Sequence, residues 1–152
     1  HEVVVPLIRS LRCAAEYDDN WILEELPSIF GALGEVAYEP LRAVALDRSN
    51  NWIIRSTALD GLAAMTIKDP LHERAVFDFA ASIMNDASED DDMRGLAAHV
   101  LLDFGQKTYE KSLREFVEYQ ERQKDKDPFY MMHFDKEDIT HLLTADHDHK
   151  KQ

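Results

Sequence analysis

Cysteine, glycine, proline and basic residues are all scarce in this chain of 152 residues. Its single cysteine, Cys13, excludes an intrachain disulfide, which is typical of a protein from a reducing compartment. Because Cys13 lies in an apolar stretch, we expect it to be buried. The 5 glycines and 5 prolines are too few for an all-β fold with many tight turns. The chain has no run of about 18 apolar residues, so we expect no membrane-spanning helix and a cytoplasmic location.

The shortage of basic residues leaves 17 Lys and Arg against 30 Asp and Glu, a formal net charge of −13. This charge repels phosphate backbones and anionic lipid surfaces, so we expect neither a nucleic acid nor a membrane as a partner. It favours a protein or peptide partner with basic residues. Catalytic motifs are missing too, since the sequence has no Gly-rich phosphate loop, CxxC, GxSxG or HExxH. We therefore expect no cofactor, and the sequence favours a protein that is not an enzyme.

Apolar residues recur at the spacing of an α-helix through almost the whole chain, and no strand pattern is evident. The pattern predicts helices joined by short loops, over 3–15, 21–35, 39–47, 52–66, 70–85, 93–104 and 108–123. A last short helix is predicted within 129–143. Pro27 is expected to bend or break the second helix. The chain therefore belongs to the all-α class.

A change in composition after residue 123 suggests two parts. Residues 1–123 are predicted to form the helical domain. Residues 124–152 are predicted to contain a charged linker over 124–128, the short accessory helix, and a disordered polar tail over 146–152.

Two stretches of the sequence match when the chain is aligned with itself so that Asp47 falls on Asp86. Each has an apolar run ending in Asp, a polar loop, an apolar residue followed by Arg, then Ala and a large apolar residue. The matched positions that carry charge are Asp47 and Arg55 in one stretch and Asp86 and Arg94 in the other. We expect these side chains to bond neighbouring loop amides or each other, and so to repeat a structural ladder along a stack of helices.

An earlier stretch is related to these two less regularly. In one register, Asn20 and Trp21 match Asn51 and Trp52. The apolar stripe fits better when that register is moved by one position, which aligns Leu26, Phe30 and Leu33 with Ala58, Leu62 and Met65. The two registers disagree, so this unit has diverged or is spaced differently.

With these features, residues 47–65 and 86–104 resemble HEAT repeats of the phycobilisome-lyase-like type. Residues 30–70 also look like a bacterial HEAT-like family of unknown function. The resemblance implies an α-solenoid of antiparallel helix pairs, with about three pairs and a short C-terminal helical segment. It implies no particular activity, because a fold does not determine function.

In HEAT-like stacks the second helix of each pair lines the concave face, which indicates a mixed, mostly acidic strip. Its predicted members are Trp21, Glu24, Ser28, Trp52, Ser56, Asp60, His99 and Asp103. An ordinary solvated surface is the alternative to a binding strip. The two tryptophans are either interface anchors or plugs in the core between helix pairs, and the core interpretation is preferred.

These observations favour a non-enzymatic adaptor or scaffold that binds a protein or peptide, possibly a basic one. One alternative is a metal-dependent or small-molecule enzyme, whose weak candidate ligands are His133, Glu137 and His141. The other is a purely structural domain of a larger chain or of an oligomer.

Overall fold

The computed structural model describes residues 2–144, and all regular structure in that range is helical. Its eight α-helices are α1 (Val4–Glu16), α2 (Asn20–Leu33), α3 (Glu35–Leu46), α4 (Trp52–Lys68), α5 (Glu73–Asn85), α6 (Asp91–Asp103), α7 (Glu110–Lys126) and α8 (Lys136–Thr144). Short 3₁₀ turns over Pro70–His72 and Lys107–Tyr109 precede α5 and α7. The predicted all-α class is confirmed. The predicted disordered tail over 146–152 lies outside the described residues.

The chain divides into two compact units between Asp78 and Phe79, inside α5. The boundary predicted after residue 123 falls inside α7, which runs to Lys126. The expected linker over 124–128 is therefore helical over its first three residues.

In the first unit, α4 packs against α1, α2 and α3. Most of its 17 residues are buried, including polar ones on the side away from its apolar stripe.

Two glycines allow the close approach of α2 and α4. A Cβ on Gly31 would lie 2.9 Å from the carbonyl carbon of Ala64, and a Cβ on Gly61 would lie 2.9 Å from the Cβ of Phe30. A helix with neighbours on several sides needs such small residues where backbones meet.

Polar caps determine where α2 and α4 begin. Asp19 Oδ1 accepts a hydrogen bond from the Ile22 amide at 3.2 Å, and Asn51 Oδ1 accepts one from the Ile54 amide at 3.0 Å. Each cap satisfies an amide that has no partner within its helix. Asp19 thus corresponds to Asn51. This is the same alignment that matches the buried apolar stripes of α2 and α4. The match between the two Asn-Trp pairs is therefore not a structural equivalence.

Pro27 lies inside α2 and does not end it, so the expected break is wrong. Leu26 and Phe30, which flank the proline, are buried at 2% and 0% exposure. Their burial favours the helical path, since most helical stability in proteins comes from packing one face of the helix.

In the second unit, α8 packs against α6 and α7. The core of this unit includes Met93, Leu101, Phe116, Ile139 and Leu142. Residues 127–135 connect α7 to α8 without regular structure beyond a turn at their start. This segment and α8 therefore contribute to a folded core, and not to a separate appendage.

Candidate functional site

The Asp and Arg positions of the internal repeat make the same local contacts in each unit. Asp47 Oδ1 accepts hydrogen bonds from the amide and the hydroxyl of Ser49, at 3.0 and 2.6 Å. Arg55, which is buried, donates from Nε to the carbonyl of Ala45 at 2.8 Å. The aspartate thus closes the loop between α3 and α4, and the arginine satisfies a carbonyl at the end of α3.

The second unit repeats these contacts at the matching positions. Asp86 Oδ1 accepts from the amide and hydroxyl of Ser88, at 2.9 and 2.7 Å. The Nε of Arg94 donates to the carbonyl of Met84 at 2.8 Å. In each unit the aspartate bonds the loop and the arginine bonds the preceding helix. These contacts lie within the fold, and they give the Asp and Arg side chains a structural role.

The loop contacts at Asp47 make stability dependent on pH. Hydrogen bonds from the Ser49 side chain and amide hold the pKa of Asp47 below its ordinary value of 3.8. A lowered folded-state pKa stabilises the fold above the unfolded pKa, and this contribution is lost as the pH falls through the folded value. We expect Asp47→Ala to be less stable than the wild type at neutral pH, and the difference to shrink below about pH 4.

Thermal melts of the two proteins between neutral and acid pH would measure this difference. Ser49→Ala removes the hydroxyl donor and should reproduce part of the effect. A difference that stays constant down to pH 3, about one unit below the ordinary aspartate pKa, would show that the contact does not depend on the carboxylate charge.

The predicted concave strip is only partly exposed. Trp21 and Trp52 are 72% and 51% exposed, so the interpretation of both as core plugs is wrong. Each lies in the first turn of its helix, beside the cap rather than on the buried stripe. Glu24, Ser28, Asp60 and Asp103 are also exposed.

Two members of the strip are covered. Ser56 is buried and donates its hydroxyl to the carbonyl of Ile53 at 3.1 Å, because α4 is packed on this side too. His99 is half-buried, and its Nε2 donates to the carbonyl of His133 at 2.8 Å. The faces of α4 and α6 that were expected to line a groove are therefore partly enclosed within their own units.

The three residues of the alternative metal site do not form a ligand cluster. Within residues 2–144, no group of three or more His, Cys, Asp or Glu side chains is placed to hold a metal ion. The ring of His133 packs on Gly95, and its Nε2 lies 3.3 Å from Oδ1 of Asp92. His133 thus contacts α6, and not Glu137 and His141 of α8.

An open groove lies between the end of α1 and the start of α2, in the first unit. Its volume is about 410 Å³, and it is lined by Ser10, Cys13, Ala14, Tyr17, Asp19 and Ile22. Cys13 is exposed there, so its expected burial is wrong. Ser10, Cys13 and Tyr17 share a helix face beside the buried stripe of Leu11 and Ala14, and this face opens onto the groove.

A tight turn between α1 and α2 fixes the shape of the groove. Asp18 has a positive φ, in the left-handed region that Asp tolerates better than most residues. The amide of Asp19 returns to the carbonyl of Ala14 at 2.9 Å, and that of Tyr17 bonds the carbonyl of Cys13 at 3.0 Å. Tyr17, directly before this turn, is 76% exposed and lines the groove.

The chain around this groove carries more acidic than basic residues. Residues 9–25 contain two arginines, Arg9 and Arg12, against five acids, which are Glu16, Asp18, Asp19, Glu24 and Glu25. Of these charged residues, Asp19 lines the groove. A largely apolar groove in an acidic stretch of the chain suits an apolar anchor flanked by positive charge.

A second cluster, in the second unit, surrounds the start of α6. Asp91 accepts hydrogen bonds from the hydroxyls of Tyr119 and Tyr130, each at 3.0 Å, and Arg94 Nη1 lies 3.3 Å from the same carboxylate. Burial, followed by the bond to Asp91, raises the pKa of both tyrosines. Both phenols therefore stay protonated as donors, which suits a structural cluster better than proton-transfer chemistry.

No protein-family model, curated protein or solved structure matches this chain. Within residues 2–144, no helix has the length and apolar character needed to cross a membrane.

The strip predicted from the sequence missed the α1–α2 groove. The available signal was the spacing of Ser10, Cys13 and Tyr17, which places them on one helix face next to the core stripe. What the sequence could not supply was the position of Ile22 of α2 in the same groove as that face.

Proposed function

We propose that this chain is a non-enzymatic adaptor that binds a short basic peptide segment of another protein in the α1–α2 groove. The observation that carries the proposal is the exposed Tyr17 in the lining of a largely apolar groove, within a stretch of the chain that has more acidic than basic residues. Trp21 is exposed close by in sequence, directly before Ile22 of the groove lining. Large exposed aromatic side chains beside a concave surface are typical anchors of protein interfaces.

The net charge of −13 supports the choice of partner, because opposite charge accelerates and orients the approach of a basic segment. The partner would place an aliphatic or aromatic side chain in the groove and Lys or Arg side chains against Asp19 and the acids that flank it in the sequence.

We also propose that the two units belong to a HEAT-like solenoid, and that the protein is cytoplasmic. The first part is supported by the Asp and Arg contacts that recur at matching positions of the two units. The single cysteine supports the second, since disulfide-free chains are typical of reducing compartments.

Selection from a random peptide display library on the full chain tests the binding site. Selected peptides should be rich in Lys and Arg around one large apolar residue. Their binding should weaken as the salt concentration rises, because exposed charge pairs are screened. A synthetic copy of a selected peptide should also slow alkylation of Cys13 by iodoacetamide, since Cys13 is the only thiol and lines the groove.

Tyr17→Ala is expected to weaken this peptide about tenfold or more, as is usual for an aromatic anchor. Trp52→Ala is the matched control, because Trp52 is an exposed aromatic residue that does not line the groove. Fluorescence anisotropy measures both affinities. Equal affinities for the two variants, or full reactivity of Cys13 at saturating peptide, would rule out this groove as the site.

A further inference from the structure

The segment directly after α7 presents two large apolar side chains to solvent. Phe129 and Met131 are 91% and 81% exposed. Among the large apolar residues of 2–144, only Leu71 is as exposed as Phe129. Contact with a second surface would remove the apolar area of both side chains from water.

The backbone is fixed where this segment begins. Asp127 Oδ1 accepts a hydrogen bond from the amide of Phe129 at 3.0 Å, and the carbonyl of Asp127 accepts one from the amide of Tyr130 at 3.0 Å. The hydroxyl of Tyr130 donates to Asp91 at 3.0 Å. Phe129 therefore projects from an ordered turn, and not from a loose chain.

The backbone is also fixed beyond Met131. The amide of His133 donates to Gln120 Oε1 at 2.6 Å, and the carbonyl of Phe134 accepts from Gln120 Nε2 at 3.3 Å. Gln120 is fully buried. Because both ends of the segment are held, its exposed side chains are already positioned, and docking them costs little conformational entropy.

The end of α7, which leads into this segment, is the most basic part of the chain. Arg122, Lys124 and Lys126 make 122–126 the only five consecutive residues with three basic side chains. All three are exposed. The acids among and after them are Asp125 and Asp127. In a chain of net charge −13, the most exposed phenylalanine thus follows a cluster of positive charge.

The α1–α2 groove has the complementary properties. Its volume of about 410 Å³ is within the usual range for ligand pockets, about 300–1,000 Å³, so it can take one aromatic side chain. Its lining offers the apolar side chains of Ala14 and Ile22 and the ring of Tyr17, and aromatic rings pair favourably. Asp19 lies in the same lining, within the acidic stretch of the chain.

We propose that the α1–α2 groove binds a second copy of this chain, which inserts Phe129 and places Lys124 and Lys126 near Asp19 and its neighbouring acids. This inference rests on the proposed function, because it names the source of the basic segment that the groove binds. The groove and the inserted segment are different surfaces, so the contact is head-to-tail. Such contacts form a ring or grow into a chain of copies.

Sedimentation velocity of the full chain at increasing concentration tests the association. The average mass should rise with concentration, and Phe129→Ala should raise the concentration of half-association about tenfold or more. Leu71→Ala is the matched control, since Leu71 is also 91% exposed, and it should change that concentration less than about twofold. A chain that stays monomeric at every concentration, or equal effects of the two substitutions, would overturn the proposal.

A mixture of two variants identifies the contacting pair. Tyr17→Ala has a damaged groove and an intact Phe129, whereas Phe129→Ala has an intact groove and no inserted ring. Each variant alone should stay monomeric where the wild type associates. Mixed in equal amounts, they should form one-to-one pairs, because one intact contact is restored. A mixture that remains monomeric would contradict the pairing of Tyr17 with Phe129.

Charge substitutions separate local attraction from the repulsion between two acidic molecules. Lys126→Glu and Lys111→Glu change the net charge equally, and Lys111 is an exposed lysine nearer the start of α7. Lys126→Glu should weaken association clearly more than Lys111→Glu, since only Lys126 lies close to Phe129 in the sequence. Equal weakening would mean that general repulsion, and not a local contact, sets the affinity.

Alkylation of Cys13 by iodoacetamide shows whether the groove itself is occupied. The rate per thiol should fall as the wild-type concentration rises and should stay constant for Phe129→Ala. Association through Phe129 with an unchanged Cys13 rate would overturn the proposal, as would protection that is the same at every concentration. If library peptides protect Cys13 while the chain stays monomeric, this inference fails and the proposed function stands. If neither peptides nor a second copy protect Cys13, both fail.

Discussion

Replacing Arg94 by alanine is expected to lower the free energy of unfolding by about 3 kcal/mol, because a buried charge with several partners is lost. Its Nε bonds the carbonyl of Met84, and its Nη1 approaches Asp91. Its guanidinium carbon lies 4.6 Å from the ring centre of Phe116 and 4.4 Å from that of Tyr119. Alanine would remove the donor to a buried carbonyl, the cation–π contacts and much of the packing together. Urea unfolding followed by circular dichroism measures the change.

Two further variants make this experiment decisive. Arg94→Lys keeps the charge but loses the planar Nε donor, so it should recover only part of the stability. Arg114→Ala removes an exposed arginine that pairs with Glu110 at 2.8 Å, and it should cost less than about 1 kcal/mol. If Arg94→Ala and Arg114→Ala unfolded at the same urea concentration, the buried contacts of Arg94 would not be stabilising.

Gly31→Ala is expected to destabilise the protein by about 2 kcal/mol, the usual cost of forcing a methyl group into a packed contact. The added Cβ would lie 2.9 Å from both the carbonyl carbon and the Cβ of Ala64. Part of this obstacle is backbone, so α2 and α4 must separate to relieve it. The intrinsic helix preference of alanine over glycine, about 1 kcal/mol, acts in the opposite direction and does not outweigh the clash.

A double-mutant cycle with Ala64→Gly identifies the cause. Removal of the Ala64 Cβ should restore part of the stability of Gly31→Ala, leaving the clash with the Ala64 backbone. Thermal melts of the four proteins give the coupling energy. A coupling energy of zero would mean that a Cβ on residue 31 and the Cβ of Ala64 do not clash as described.

Much of the fold could be predicted because its helices are marked by local signals. Asn51 caps α4, Gly34 and Gly105 lie at the ends of α2 and α6, and the apolar stripes of α4 and α6 recur in register. The sequence also identified Arg55 and Arg94 as a structural pair, since an arginine at a fixed distance after an aspartate recurs. These patterns depend on neighbours within one helix pair.

The candidate sites could not be predicted in the same way, because they depend on what covers each helix. Nothing in the periodicity of α4 shows that Ser56 is enclosed. The exposure of Trp21 depends on the cap at Asp19, one residue earlier than the Asn-Trp match suggested. Gln120 reads as a polar residue in a charged helix, and only the return of His133 and Phe134 shows why it is buried.

The enclosure of α4 also determines how the first unit can unfold. In a simple linear array, each helix pair contacts only its neighbours, and a terminal pair can melt while the rest stays folded. Here α4 contacts α1, α2 and α3, so loss of any one of them exposes the same central helix. The unit that ends at Asp78 should therefore behave as a single cooperative block rather than as two repeats that fray independently.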